Sequence, residues 1–361
     1  MRQTLTILLF LFSVCLCAQT AADTVSLLFA GDAMSHTVQV RWARTPEGLD
    51  YSPCVEEVKP YLSNADSCIV NLETPIAGAP YTGFPRFSAP DEYLDGLADA
   101  GFDLYLLANN HVVDQGGRGL SQTIGKLQQR NLTFSGAYPN EESRSCQYPA
   151  YKTFVNDIDS LVIAVFNCTY GTNDLRVPSP FVVNRIDTAE IRSDIEEAGK
   201  HADIKILCIH WGVEYQQNAS SPQKRLAEWL AEAGFDLIIG SHPHVIQEYE
   251  VITTSDNRQV PVFYSLGNLL SNQRWRRCNG GIMAQIRLHL TEKKIVGVSY
   301  IPLYVHKGSW KGVKQYHLLP TAQLIDTLDR VDIPRWDRDS LRVFHNDTQQ
   351  KLQNIAITSH F

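Results

Sequence analysis

One sequence unit occurs twice in this chain and limits how it can fold. Residues 97–111 read LADAGFDLYLLANNH, and residues 230–244 read LAEAGFDLIIGSHPH. In each copy a helical Leu-Ala-acid-Ala turn meets a glycine, Gly101 or Gly234, the residue that favours the left-handed end of a helix. The apolar run that follows is typical of a parallel strand buried on both faces. The sequence therefore predicts two helix–strand units of an α/β fold.

Both copies end in a polar cluster. Asn109, Asn110 and His111 follow the first predicted strand, and His242 and His244 follow the second. Ligands of open α/β sheets bind at the carboxyl ends of the strands. We therefore expect a functional site where these clusters meet.

Composition and charge narrow the class of protein. The chain is 44% hydrophobic and 20% charged, which is ordinary for a globular protein with a large core. Its formal net charge is −7 and no stripe of Lys and Arg is visible, so we expect no nucleic-acid partner. The simplest division is a signal peptide over 1–22, one α/β domain over 23–306 and a C-terminal extension over 307–361.

The first residues have the layout of a signal peptide. One Arg is followed by an apolar run over residues 5–16, too short to span a bilayer comfortably, and then by small and polar residues. The prediction is an exported protein of the periplasm or cell envelope. Two alternatives remain open: an uncleaved membrane anchor, and lipid attachment at Cys15 or Cys17, although the residues preceding both cysteines suit a lipid-attachment box poorly.

Strands and helices alternate along the chain. We predict strands at 26–30, 67–73, 103–108, 204–212, 236–239, 260–268, 281–290 and 294–306, two more around the turn Asn156–Ser160, and helices at 56–62, 92–100, 119–130, 188–201, 221–234 and within 320–356. Few helices separate the strands at 260–268, 281–290 and 294–306, so these three are expected to pair antiparallel. Cys68, Cys168 and Cys208 lie in apolar runs and are expected to be buried.

Several predicted strands end in residues able to bind a metal: Asp32, Glu73, Asn110, His210, His242 and His244. Carboxylates, an amide oxygen and imidazoles suit a pair of borderline divalent ions such as Zn, Mn or Fe. Two ions about 3.5–4 Å apart can hold a hydroxide and clamp phosphoryl oxygens, and Glu73 could bridge them. Burying so many polar groups is costly unless they bind something, so the whole set favours a metal site.

Each residue taken alone also has a structural interpretation. Asp32 could be a turn or helix-cap residue, and Asn110 could cap the helix that follows. Asn268 could equally be a turn residue and is left out of the predicted site. The segment from His242 to His244 could be extended, with both rings facing the same way, or a rigid turn around Pro243.

Six motifs in order, AGD, NLE, ANNHVVDQG, HWGVEY, GSHPH and YSLGN, resemble the CapA family. These proteins are linked to poly-γ-glutamate capsule synthesis and share the calcineurin-like metallophosphatase fold. The resemblance covers roughly residues 25–306. It implies an α/β protein built as a four-layer α/β/β/α sandwich of the metallophosphatase type, with the site at one edge of two packed sheets.

The resemblance also implies roles for individual residues. It places the metal ligands in two groups that share a bridging Glu73, with Asn110, His210 and His242 on one ion and Asp32 and His244 on the other. His111 matches the residue that protonates the leaving group or steadies the developing charge.

Two positions depart from the common pattern of that fold. Met34 stands where most metallophosphatases carry a His, and the bridge is Glu73 rather than Asp. One ion therefore loses an imidazole, unless His36 compensates. The number of ions is expected to be one or two, and the second could be a harder cation such as Mn or Mg.

Two further residues are predicted to bind substrate. Arg86, in the Gly- and Pro-rich loop Ala77–Pro90, could meet an anionic group, although an exposed loop Arg is the simpler interpretation. Tyr215, with Trp211 and Glu214, could line the pocket behind His210 or simply pack.

The sequence favours a metal-dependent hydrolase, phosphoesterase-like, acting on an anionic small molecule or polymer in capsule or envelope polymer synthesis. The alternative is a non-catalytic component that binds polymer within a membrane capsule-assembly complex. A serine hydrolase and a nucleotide-driven ligase are disfavoured, because the chain contains neither a G-x-S-x-G elbow nor a phosphate-binding P-loop.

Overall fold

The structure is a computed structural model that describes residues 23–358. The predicted signal peptide, with its anchor and lipid-attachment alternatives, lies outside the described residues. Within the described part of the chain, no helix combines the length and apolar character needed to cross a membrane.

Strands dominate the fold. In chain order they are β1 (Thr24–Ala33), β2 (Arg44–Thr45), β3 (Gly48–Leu49), β4 (Ser67–Leu72), β5 (Leu104–Leu106), β6 (Thr133–Ser135), β7 (Ala137–Tyr138), β8 (Ala150–Val155), β9 (Ser160–Thr169), β10 (Val182–Val183), β11 (Ile204–His210), β12 (Leu237–Ser241), β13 (Tyr249–Thr253), β14 (Gln259–Phe263), β15 (Asn268–Leu270), β16 (Gly280–His289), β17 (Lys294–Trp310), β18 (Val313–Pro320) and β19 (Ala356–Ile357).

The helices lie mostly between strands. They are α1 (Thr37–Trp42), α2 (Ser52–Val55), α3 (Lys59–Leu62), α4 (Asp91–Ala100), α5 (Gly116–Gln129), α6 (Glu141–Gln147), α7 (Thr188–Ala198), α8 (Ser221–Ala233), α9 (Thr321–Leu324) and α10 (Arg335–Lys351), with short 3₁₀ helices at Glu56–Val58 and Ile325–Arg330. As predicted, α4 and α8 end at Gly101 and Gly234, which both have positive φ.

Two mixed sheets carry the fold. The larger runs in the order β18-β17-β16-β1-β4-β5-β6, with β15 beside β1 and β19 beside β17. The smaller runs β13-β14-β12-β11-β9-β8. Neighbours among β1, β4, β5 and β6 pair parallel, as do those among β9, β11, β12 and β14. The carboxyl ends of each parallel set therefore lie at one edge of its sheet.

The sheets pack face to face and helices cover their outer faces. Phe29 and Leu104 of the larger sheet meet Ile206 and Leu237 of the smaller one in a shared core. Helices α4 and α5 pack on the outer face of the larger sheet, and α7 and α8 on that of the smaller. Removing this apolar surface from water is the main stabilising contribution. The predicted four-layer α/β/β/α sandwich is confirmed.

One predicted pairing is wrong. Strands β16 and β17 are antiparallel as expected, but residues 259–263 form β14 in the smaller sheet, parallel to β12. The chain then crosses between sheets, and Asn268 pairs with β1 beside Asp32. Gly267 (φ 72°) makes this crossing, and a Cβ on Gly31 would lie 1.9 Å from the Gly267 oxygen. The glycines permit a close approach that strand periodicity alone does not reveal.

The last residues pack against the sandwich. Strand β18 pairs with β17 along the edge of the larger sheet. Helix α10 has a polar surface but buries Leu341 and Phe344 in the core between the sheets. The division of the chain at residue 306 stays a prediction. Cys68, Cys168 and Cys208 are buried, as expected.

Candidate metal centre

The predicted strand ends meet at one edge of the sandwich. Asp32 lies near the end of β1, and Glu73 directly follows β4. His210 ends β11 beside Ser241, which ends β12 and precedes His242. The centre therefore draws side chains from both sheets, as parallel strands with a common edge require.

Five charged or imidazole side chains form two potential ligand groups with one member in common. Glu73, His210 and His242 make the first group, and Asp32, Glu73 and His244 make the second. In each group the candidate ligand atoms all lie within 4.8 Å of one another, and every member is buried. These are the two groups, with the shared Glu73, that the family resemblance implies; the roles of the residues stay predictions.

Glu73 lies between two imidazoles. Its Oε1 is 3.6 Å from His210 Nε2 and 3.8 Å from His244 Nε2. This oxygen and His242 Nδ1 are buried atoms without a hydrogen-bond partner among the described residues. Because buried polar atoms are nearly always paired, these two atoms indicate a ligand site. A divalent cation fits this donor set of carboxylates and imidazoles.

Asn110 joins the first group through its amide oxygen. Its Oδ1 lies 3.0 Å from His210 Nε2, while its Nδ2 donates to Asn173 Oδ1 at 3.2 Å. The second hydrogen bond turns the oxygen towards the centre. Asn110 does not cap the helix that follows, because the N-cap of α5 is Gln115.

Two polar residues that support the ligands were not among the predicted site residues. Asn71 Nδ2 donates to Asp32 Oδ1 at 2.8 Å and to Glu73 Oε2 at 3.3 Å. The Ser241 hydroxyl lies 2.9 Å from His210 Nδ1, which leaves Nε2 facing Glu73. A signal existed for Asn71, because residues two apart on a strand share a face and Glu73 was already a candidate.

His111 has its own carboxylate partner. Its Nδ1 lies 2.8 Å from Asp114 Oδ2, which also accepts the Phe87 amide at 2.7 Å. The Phe87 ring packs edge-on against the imidazole at 4.7 Å between centroids. Asp114 was also missed, although its spacing of three residues from His111 is the spacing of neighbours in a helical turn.

The backbone between His242 and His244 forms the rigid turn, not the extended alternative. Their φ angles are 101° and 58°, and their ring centroids lie 6.1 Å apart. Positive φ is uncommon and costs free energy for residues other than glycine. The fold thus holds both imidazoles at the centre against a local backbone preference.

The electrostatics of the centre also favour a cation. Burial, reinforced by the nearby Asp32 carboxylate, raises the pKa of Glu73 well above its usual range. Burial, with the neighbouring His244, lowers the pKa of His242 to about 3, and burial lowers the pKa of His210 well below its usual value. Bound divalent ions would reverse the penalty for ionising Glu73 and coordinate imidazoles that are already neutral.

A cavity of about 380 Å³ opens beside the centre. His111, His244, Glu214 and Tyr215 line it, and so does Met34, at the position where a His is more usual. The Tyr215 ring lies 6.1 Å from that of His244. The cavity wall therefore holds the proton-carrying candidate His111 and a predicted substrate-binding residue, Tyr215.

Other candidates lie further from the centre. Arg86 is exposed, whereas Phe84 of the same loop lines the cavity. Trp211 packs in the outer core, where its Nε1 donates to the Tyr264 carbonyl. His36 lines the cavity but belongs to neither ligand group, and its Nδ1 accepts the Asn272 amide at 3.3 Å. The substrate-binding roles of Arg86 and Tyr215 stay predictions.

Comparisons with known proteins identify relatives. The family described as "Bacterial capsule synthesis protein PGA_cap" matches residues 26–273. The capsule biosynthesis protein CapA of Bacillus anthracis is 30% identical over 287 residues, covering 74% of this chain and 64% of that protein. The PGA biosynthesis protein CapA of Bacillus subtilis is 27% identical over 350 residues, covering 92% and 85%. The chain thus spans less than two thirds of the length of the Bacillus anthracis relative.

Solved structures with a similar architecture are more distant. A phosphatase from Mycoplasma pneumoniae has a TM-score of 0.46 at 14% identity, over 78% of this chain and 94% of that one. The NAD nucleotidase of Haemophilus influenzae has a TM-score of 0.49 at 11% identity, over 94% and 57%. A calcineurin-like phosphoesterase of Bacillus subtilis has a TM-score of 0.41 at 12% identity, over 91% and 98%.

Proposed function

The chain belongs to the bacterial capsule synthesis protein PGA_cap family, and on that premise we propose that it is an exported, metal-dependent hydrolase of the phosphoesterase type. It acts in the synthesis of a capsule or envelope polymer of the poly-γ-glutamate type. The names of the Bacillus relatives, which refer to capsule and PGA biosynthesis, support this setting.

A single observation supports the metal-dependent chemistry most strongly: two buried ligand groups share Glu73, beside a histidine that is already supported by a carboxylate. Asp32, Glu73, Asn110, His210, His242 and His244 would hold one or two divalent ions. Bound there, such ions would supply an activated water and offset negative charge on the substrate.

His111 is the proposed general acid. Asp114 accepts a hydrogen bond from its Nδ1, so that Nε2 is the nitrogen left to carry a proton into the cavity. The hydrogen bond to this carboxylate fixes the plane of the ring.

The proposed substrate is an anionic phosphoester or a glutamyl chain. Tyr215 forms part of the cavity wall, and Arg86 is placed to meet an anionic group only if the substrate extends over the loop Ala77–Pro90. Divalent ions held by the six residues would coordinate the anionic oxygens that phosphate and carboxylate groups carry.

The test begins with metal analysis of purified protein lacking residues 1–22. Turnover is then measured on phosphodiesters, phosphomonoesters and γ-glutamyl chains for the wild type, His111→Ala and His242→Ala. His201→Ala, an exposed histidine on the outer helical layer, is the matched control. We expect turnover to fall at least a hundredfold in the two site variants and to stay unchanged in the control. Turnover that survives both site variants would overturn the proposal.

One observation favours a second candidate function. Met34 is buried in the cavity wall, where the family resemblance leads us to expect an imidazole, so an ion at Asp32, Glu73 and His244 would have fewer nitrogen ligands. A centre with one weak ion could bind polymer without cleaving it, within a complex of membrane capsule-assembly proteins. Metal and polymer binding without turnover, together with co-purification of membrane proteins, would favour this alternative.

A further inference from the structure

A second cavity, of about 300 Å³, lies next to the metal cavity. Strands β17 and β18, helix α10 and the loop after β15 bound it. Arg274 lines both cavities, so the two are neighbours. The second cavity has no part in the centre described above.

Two cations face this cavity without an acidic partner. Arg274 and Lys307 both line it, and within residues 23–358 neither has a carboxylate at ion-pair distance. Lys307 Nζ donates to the main-chain oxygen of Gln273. The neighbouring Arg276 and Arg277 differ, because both pair with Asp347. Two arginines of the loop therefore share one carboxylate, while Arg274 has no ion pair among the described residues.

The carboxylate in the cavity wall is already engaged. Asp337 accepts a hydrogen bond from the Tyr304 hydroxyl and pairs with His306 Nδ1. The uncompensated charge facing the cavity is thus positive. Burial, together with the charge of Arg274, lowers the pKa of Lys307 to about 8, and the Asp337 carboxylate opposes this shift only in part. A bound anion would relieve that penalty.

The remaining wall is aromatic. Trp42 packs against Tyr316 at 5.3 Å between ring centroids, and Trp336 is 64% exposed at the rim. Flat apolar walls beside two cations suit a ligand that combines an anionic group with methylene groups, since the carbon atoms can pack while the anion is paired.

We propose that this second cavity is an anion-binding subsite, with Arg274 and Lys307 holding a carboxylate or phosphate group of an acidic chain. That the same chain reaches the metal centre rests on the proposed function. Because Arg274 lines both cavities, they lie side by side, close enough for one extended chain to contact both.

The binding test uses metal-free protein, so that the subsite is measured without turnover. The probes are γ-linked tetraglutamate, tetrapolyphosphate and uncharged tetraglutamine, titrated by calorimetry into the wild type, Arg274→Ala and Lys307→Met. Arg276→Ala is the matched control, since it lies in the same loop and its charge is already paired. We expect at least one anion to bind the wild type, and to bind at least tenfold more weakly to the first two variants while the control is unchanged. The stronger of the two anions identifies the source of the anionic group.

Failure of both anions to bind the wild type, equal binding to all variants, or equally tight binding of tetraglutamine would each overturn the subsite. Thermal unfolding checks that the variants fold, and the exposed Arg274→Ala carries the test if Lys307→Met does not. Turnover of a small phosphodiester by the metal-loaded wild type is measured separately. Anion binding without such turnover contradicts the proposed hydrolase and leaves the subsite supported, so the two failures are distinguishable.

Discussion

The two copies of the repeated unit fold alike but on different sheets. The glycine that ends the helix has φ 120° and ψ 5° in the first copy and φ 117° and ψ 12° in the second. In both, the next residue is a buried Phe, and then an Asp whose carboxylate accepts a main-chain amide of the preceding parallel strand. Each copy of the unit thus ends a helix and places the carboxyl end of the next strand at the edge of its sheet.

The copies differ in what they deliver at that edge. After β5 the chain presents the amide of Asn110 and the supported imidazole of His111, with no positive φ at either residue. After β12 it presents two imidazoles, and both His242 and His244 have positive φ. On the proposed function, the first copy would offer a neutral oxygen ligand and a proton carrier, while the second would offer nitrogen ligands held in a strained turn. One scaffold would then support two chemical tasks.

The largest expected difference between the copies is in metal binding. His242→Ala removes a nitrogen ligand from a group with few alternatives, so we expect each chain to lose one bound ion. This loss of metal affinity should exceed the reduction of about 10–100-fold that follows when a residue supporting a ligand is removed. Asn110→Ala should weaken binding only about tenfold, because a neutral amide is the weaker ligand. Metal analysis after dialysis measures both. Equal loss in the two variants would contradict the division of tasks.

Smaller effects should follow when the supports of the two imidazoles are removed. Asp114→Asn removes the carboxylate beside His111, so turnover should fall about 10–100-fold with metal content unchanged. Ser241→Ala frees the ring of His210 and should instead weaken metal affinity by a similar factor. Titration with metal and turnover of the loaded protein separate the two. If Asp114→Asn also lost metal, Asp114 would not act on His111 alone, and the contrast between the two variants would fail.

Substituting Gly101 and Gly234 tests whether the helix ends of the two repeated units are equally important for stability. Gly101→Ala and Gly234→Ala should each lower the free energy of unfolding by roughly 1–2 kcal/mol, since an L-residue is strained at these angles. Gly101→Ala should cost more, because its Cβ would lie 3.1 Å from Leu62 Cβ, against 3.5 Å from Ile195 Cδ1 at Gly234.

Gly125→Ala is the control for these urea-unfolding measurements. Gly125 lies inside α5, and a methyl group added there would meet no neighbouring atom within 4 Å, so Ala should be neutral or stabilising by up to about 1 kcal/mol. Equal stability of Gly101→Ala, Gly234→Ala and the wild type would show that the helix ends do not depend on glycine.

The smallest expected effect is a pH dependence that belongs to the second copy. The folded pKa of His242 is about 3, below its unfolded value of about 6.5, so between these values the unfolded chain binds more protons. The stability of metal-free protein should therefore fall as the pH drops from 6 to 5, by at most about 1.4 kcal/mol for this residue. His242→Ala should make the profile shallower, with the remaining slope due to His210 and His36, whose pKa values burial also lowers, and Asn110→Ala should leave it unchanged. Identical profiles in chemical unfolding would argue against a buried neutral His242.

The order of elements and the strand ends that meet at the candidate metal centre could be predicted because they depend on local patterns. Apolar runs followed by Asp32, Glu73, His210 and the two repeat clusters give the positions of the candidate ligands along the chain. The four layers came from the family resemblance, since periodicity does not say which strands share a sheet. Residues 260–268 show this limit. The apolar run was recognised as a strand, but it was assigned to the wrong sheet, because the crossing between sheets at Gly267 depends on glycines.

The supporting residues were harder to predict for a physical reason. Asp114 and Ser241 act through hydrogen bonds to imidazoles, and such a partner can come from a neighbouring turn or from another strand. The turn at His242 and His244 likewise depends on tertiary contacts that outweigh backbone preference. Which arginines after β15 form an ion pair depends on the position of Asp347, which lies far away in sequence on α10.

Glu73 has a consequence for assembly of the fold. It comes from the larger sheet, yet its partners His210 and His242 come from the smaller one, so the complete set of ligands exists only after the two layers have docked. An ion bound there would act as a reversible cross-link, adding about 2.7 kcal/mol to docking at a hundredfold excess over its dissociation constant. The supply of metal would then influence how much of the chain reaches its final folded form.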